Sequence, residues 1–444
     1  MRKPRENMQV FAERRARVAK ELGDSVLICS SPEEYIRNGS VHFPFRQDSN
    51  LYYLTGFEEP ETIFVFRPGK SPGTVLFVRQ KDATRETWDG FRFGPEAAQE
   101  MFNMEAVYPI EEFDKHIVGL LKGADSLYYR HYKNREMDKK IEQTLQDLRV
   151  NQGRTGFGLL TVHDADQFLG EFRVIKGHAD LENHRQACRL SSEAHTETMK
   201  FVRPGRNERE VQGFFNYQIM KRGAAREGYG SIVASGANAC TLHYVFNDEP
   251  CKDGDLLLID AAGEFNYFTS DITRTYPVNA KFTDAQAEVY EGVLKIQKAI
   301  IDVVRPGVPF MDLHQMAAEQ LTELMLELGL FTGRRDDLIQ ANKHRKYYPH
   351  GVGHFLGMDV HDLGLYLDRK TQEPRKIEAG MVFTVEPGLY IPAGDADAEA
   401  KYRGIGVRIE DNILVTQTGH ENMTTTCPKE VAELEKLIGK GSSL

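Results

Sequence analysis

The sequence has 444 residues, enough for two or three domains, and its 41% hydrophobic and 27% charged residues place it among globular proteins rather than disordered or fibrous ones. With 66 acidic against 56 basic residues the net charge is -10, which argues against a nucleic-acid partner. Residues 1–8 are polar and basic with no signal-like apolar stretch behind them, and apolar runs such as Leu256 to Ile259 are too short to span a bilayer, so a cytoplasmic protein with no membrane association is expected.

Strand-like runs at Ser25 to Ser30, Thr62 to Phe66 and Thr74 to Arg79 alternate with helix-compatible stretches such as Phe11 to Leu22, which predicts an α/β domain over residues 1–172. Near Phe172 the character changes. A charged, helix-prone stretch from Asp180 to Lys200 ends at Arg203-Pro204-Gly205, and a second domain is expected over residues 173–444. The five cysteines (Cys29, Cys188, Cys240, Cys251 and Cys427) are scattered, form no Cys-x-x-Cys pair, and are expected to be reduced.

The second domain repeats itself. Val202-Arg203-Pro204-Gly205 recurs as Val304-Arg305-Pro306-Gly307, each closing a helical stretch; the later helix opens with the capping pattern Thr283-x-x-Gln286 and carries Val289, Val293, Ile296 and Ile300 on one face. Beyond each repeat an apolar strand follows a glycine, Gly254 before Asp260 and Gly380 before Glu386, with the same spacing from glycine to carboxylate. Two matches in the same order predict duplicated halves, each delivering a carboxylate from a strand end.

Four acids therefore stand out. Asp260 ends the apolar run Leu256 to Ile259, where an unpaired carboxylate is costly to desolvate. A two-residue hairpin centred on Phe265-Asn266 would set Asp271 directly across from Asp260, and facing carboxylates repel unless a proton or metal lies between them. Glu386 sits where an apolar strand meets Pro387-Gly388, and alternation in Gly404 to Glu410 puts Arg408 and Glu410 on one strand face. His350, His354 and His361 share a glycine-rich loop; Gly351 occupies the position of the glutamate in a helical zinc-protease motif, so that mononuclear class is rejected. Four carboxylates with an imidazole make an oxygen-rich site suited to two divalent ions, manganese first and cobalt, iron or zinc next, able to hold a bridging hydroxide for amide hydrolysis.

These segments, together with Ser270-Asp271-Ile272-Thr273-Arg274-Thr275, Thr384-Val385-Glu386-Pro387-Gly388, Tyr402 to Asp411 and the first-domain run Phe45 to Phe57, resemble the creatinase/aminopeptidase metallopeptidase family, and within it the Xaa-Pro aminopeptidases. The resemblance implies a pita-bread catalytic domain with quasi-twofold halves behind a creatinase-type α/β domain, and hydrolysis of peptides with proline in second position. It implies Asp260, Asp271, His354, Glu386 and Glu410 as metal ligands, Asp271 and Glu410 bridging, with Glu386 also the proton shuttle. It implies His243 and His361 as catalytic support, His350 and Arg408 as the proline pocket, and Trp88 as a residue approaching a neighbouring subunit's site in a homodimer or homotetramer. Near Asn38-Gly39-Ser40, where related bacterial enzymes often carry an acid, this chain has none. The alternatives are prolidase, methionine aminopeptidase, which normally lacks so long an amino-terminal domain, and metal-free amidinohydrolases or non-catalytic proteins of the same fold. The presence of all five ligand positions weighs against the last group.

Overall fold

The computed structural model describes residues 3–156 and 158–441 and divides into two compact units, Met1–Phe172 and Arg173–Leu444. The first unit is built on a six-stranded mixed sheet. Its central strand, Val26–Ser30, runs antiparallel to Ile63–Phe66 and parallel to Ser126–Tyr129. Helices start where sequence chemistry allows: Asp48 accepts the N–H of Leu51 at 2.9 Å, and Asn134 that of Met137 at 3.0 Å, each satisfying a donor the first helical turn leaves open. Gly39 and Ser40 form the exposed turn between the strands Ile36–Asn38 and Val41–His42.

In the second unit the sequence repeat becomes a structural one. The helices His178–Phe201 and Asp284–Asp302 each end at a Val-Arg-Pro-Gly corner whose glycine takes a left-handed conformation, Gly205 at φ 88° and Gly307 at φ 91°. Each glycine N–H then bonds a carbonyl of the segment leading to the carboxylate strand: Gly205 to Cys251 at 2.8 Å and Gly307 to Ile377 at 2.9 Å. Gly254 and Gly380, at φ 88° and 92°, introduce the strands Leu256–Asp260 and Val382–Val385. The capping box at Thr283 and Gln286 forms, with bonds of 3.0 and 3.3 Å, and Val289, Val293, Ile296 and Ile300 are buried. The duplicated halves share one apolar core.

One expectation fails by a single residue. The hairpin turns at Asn266 and Tyr267, both with positive φ (46° and 70°), as a two-residue turn matching strand twist requires. Phe265 therefore pairs with Phe268, and Asp260 lies opposite Thr273 rather than opposite Asp271. All five cysteines are free, four of them buried, and no helix among the described residues is long and apolar enough to cross a membrane.

The helix His178–Phe201 buries His184 and His195 completely; the His195 Nε2 contacts the Ala261 carbonyl at 2.9 Å. Burial holds their imidazoles down to about 3 and about 4 respectively, so both stay neutral in the fold but charge near 6.5 when the chain unfolds. Because the folded values are the lower ones, the associated stability is present above 6.5 and lost on acidification. Moving from pH 6.5 to 4.5 is expected to cost about 2 kcal/mol for each histidine. Denaturant titrations of His184→Gln and His195→Gln at both pH values check this: each variant must show a shallower pH slope than the parent, and unchanged slopes would contradict it.

Candidate metal centre

The strand Leu256–Asp260 ends with Asp260 at a cavity of about 520 Å³. Asp271 reaches the same cavity from the break between the strands Phe268–Thr269 and Thr273–Pro277, and Glu386 from just beyond Val382–Val385. Glu410, 1% exposed, comes from the break between Gly406–Arg408 and Asp411–Val415, and His354 from the glycine-rich loop. His243, His350, His361 and Arg408 line the cavity as well. Trp88 does not belong to this group; it lies on the helix Ala83–Asp89 of the amino-terminal unit, 83% exposed.

Within the cavity the tightest grouping is Asp271, His354 and Glu410, whose ligand atoms all lie within 4.8 Å of one another. The His354 Nε2 is 3.4 Å from Asp271 and 3.5 Å from Glu386. Its Nδ1 meets the Phe355 carbonyl at 3.1 Å, which orients the ring and leaves Nε2 turned to the acids. The Thr384 hydroxyl, two residues before Glu386 and so on the same strand face, accepts the His354 N–H at 3.1 Å and donates to the Glu386 carboxylate at 3.2 Å. Asp260 is held differently. Its two oxygens accept from the Tyr229 hydroxyl at 2.6 Å and from Arg408 at 2.7 Å, and the same Tyr229 hydroxyl lies 2.5 Å from Asp271.

The electrostatics of this cluster are those of carboxylates short of positive charge. Burial and the neighbouring Asp260 push Asp271 up; burial and then Asp271 push Glu410 well above the carboxylate range. Burial raises Glu386 to about 7 against the opposing pull of His354. Burial works against a charged His354, yet its bond to Asp271 and the field of Glu386 bring it up to about 9. The imidazole thus acts as the counter-ion that the carboxylates attract. Hard oxygen donors with one imidazole, buried and repelling one another, are the donor set that divalent cations fit.

The other wall is hydrogen-bonded, and its one fixed charge, Arg408, is paired with Asp260. His350 is fixed by the Gly351 carbonyl at 2.7 Å and the Tyr390 hydroxyl at 2.8 Å, and burial followed by the Arg408 charge keeps it down at about 3. Arg408 also donates to the Tyr390 hydroxyl at 3.0 Å and to Thr273 at 3.1 Å. His361 stands edge-on to His354, with ring centroids 4.5 Å apart, while His243 is exposed at the rim. Sequence reasoning missed the roles of Tyr229, Thr273, Thr384 and Tyr390. Nothing in the pattern around Tyr229 marks it, whereas Thr273 follows from the strand register and Thr384 from alternation with Glu386.

A fold of duplicated halves that converge buried carboxylates and an imidazole on one cavity defines a metallohydrolase, and the chain belongs to metallopeptidase family M24, whose model matches residues 182–417. The aminopeptidase P amino-terminal domain matches residues 11–128. Among particular proteins, the chain is 40% identical over 430 residues to an Xaa-Pro aminopeptidase of Haemophilus influenzae, covering 96% of each chain. It superposes with a TM-score of 0.93 on the aminopeptidase PepP of Pseudomonas aeruginosa, at 39% identity and 98% coverage of both chains. A zinc-substituted aminopeptidase P of Escherichia coli in complex with product gives a TM-score of 0.91 at 36% identity, covering 97% of this chain and 98% of that one.

Proposed function

We propose that the chain is an Xaa-Pro aminopeptidase, releasing the first residue from peptides whose second residue is proline. The observation that carries this reading is the convergence of Asp260, Asp271, His354, Glu386 and Glu410 from both halves of the catalytic unit on one cavity, beside the wall built from His350, Tyr390 and Arg408. In this reading the five residues would hold two divalent ions, manganese first, with Asp271 and Glu410 contributing to both. The ions, when bound, supply a nucleophile at neutral pH and polarise the scissile carbonyl.

The chain's own residues do the rest. Glu386, which lines the cavity, is placed to take a proton from water at one oxygen and give it to the proline nitrogen as the scissile bond breaks. An amide nitrogen is too poor a leaving group to depart as an anion, so this protonation is required for it to leave as the amine. His243 and His361, on the open side, hydrogen-bond the substrate carbonyl and the tetrahedral intermediate. His350 and Arg408 border the space for the proline ring, and because His350 stays neutral and Arg408 is already bonded to Asp260 and Tyr390, that wall admits an apolar ring without leaving a bare charge against it. The same reading extends to a cytoplasmic location and to a homodimer or homotetramer in which Trp88 would approach a neighbouring subunit's site.

Metal-stripped protein reloaded with manganese, given an Xaa-Pro-Yaa tripeptide and an Xaa-Pro dipeptide in parallel, is expected to release Xaa from the tripeptide alone, read by mass spectrometry. Cleavage of the dipeptide alone would make the protein a prolidase, and inertness toward both would end the peptidase reading.

A further inference from the structure

Asp271 and Glu410 both lie in breaks between strands, so neither main chain has ladder partners of its own. The side chains that satisfy them come from the opposite half. Asn412 receives the Asp271 N–H on its Oδ1 at 3.0 Å and donates its Nδ2 to the Asp271 carbonyl, gripping both backbone groups of one residue. Arg274 donates from Nη1 to the Glu410 carbonyl at 2.6 Å, while the Glu410 N–H bonds the Thr273 carbonyl at 3.1 Å. Successive residues on an extended chain face opposite ways, so Thr273 and Glu410 turn their side chains toward the site as Arg274 and Asp411 turn theirs away. Arg274 spends all five of its N–H donors there: on the carbonyls of Thr273, Glu410, Cys427 and Pro428 and on Asp411. Arg274, Asp411 and Asn412 are each 0% exposed.

We propose that Asn412 and Arg274 are reciprocal positioning residues, each holding the main chain of the other half's central carboxylate, and that together they set the Asp271 to Glu410 separation on which the tight binding of two cations depends. This rests on the reading of Asp271 and Glu410 as shared ligands. A backbone held from both sides cannot drift by the fraction of an ångström that distinguishes a two-ion site from a loose acidic cluster, and partners that orient ligands in this way typically govern affinity by about 10- to 100-fold.

The test is calorimetric titration of Mn²⁺ into the metal-stripped full chain. Asn412→Ala and Arg274→Lys, the latter with three donors for five acceptors, are expected to weaken manganese binding by about 10- to 100-fold. Thr424→Val, which removes a hydroxyl that donates to Asp411 and accepts the Asn412 N–H, is a milder version for the case in which either variant fails to fold. Leu321→Ala, a cavity in the buried face of the helix Phe310–Glu327, is the matched control, expected to lower the melting temperature with affinity unchanged. Manganese affinity within twofold of the parent in the clamp variants, or an equal loss in the Leu321→Ala control, would overturn the proposal. Glu410→Ala separates the underlying reading: if it keeps both ions, the ligand assignment falls and the clamp with it, whereas loss of an ion in Glu410→Ala with full affinity in Asn412→Ala and Arg274→Lys refutes the clamp alone.

Discussion

Glu386→Gln lowers kcat on a proline-second tripeptide by about 10²- to 10⁴-fold, the usual worth of a positioned proton-transfer group. The substitution keeps the shape of the side chain and its bond from Thr384, so strand and cavity persist. What disappears is a carboxylate able to take up and release a proton, which an amide of the same shape cannot do. Steady-state kinetics, with metal content measured on the same sample, checks the expectation. A kcat within tenfold of the parent at full metal occupancy would show that the proton moves through another group. A loss that tracks metal content would instead assign the residue only a binding role.

Removing the metal has the second large effect, and its sign reverses in a variant. Ions that bind the folded chain and not the unfolded one stabilise it by RT ln(1 + [L]/Kd), about 4 kcal/mol at a thousand times Kd. Chelation is therefore expected to abolish turnover and lower the melting temperature. Glu410→Gln is expected to show the opposite ranking: without metal it melts higher than the parent, because the fold no longer has to keep protonated a buried carboxyl that ionises on unfolding, and with saturating manganese it melts lower, because one of the proposed donors is gone. Thermal melts of both proteins with chelator and with manganese check this crossover, and parallel shifts without a crossing would refute the account of Glu410 as a repelled carboxylate that a cation relieves.

Much of the architecture was legible in the sequence because it is written in short-range chemistry. The Val-Arg-Pro-Gly corners, the glycine-led strands before Asp260 and Glu386, and the capping box at Thr283 are local patterns with local causes, and each appears in the structure. The hairpin was misplaced by one residue because Asn266 and Tyr267 both take the left-handed conformation, and for tyrosine that is imposed by the surroundings, Tyr267 being buried, rather than by its own preference. Tyr229, tying Asp260 to Asp271, lies 31 and 42 residues from them, and no spacing rule reaches that far. His184 and His195 were missed for a related reason: a helix in a charged stretch gives no sign that two of its histidines will be sealed from water.

The two halves hold each other across a sequence separation of 141 residues, from Asp271 to Asn412. Closing a loop of that length costs entropy before any bond across it forms, and until it closes the acids of the first half and the imidazole of the second are far apart. A small zinc module can be nucleated by its ion, since its ligands are neighbours in sequence. Here the order is reversed: the polypeptide must complete its long-range pairing first, and the cations then act as a lock on a finished fold rather than as its template.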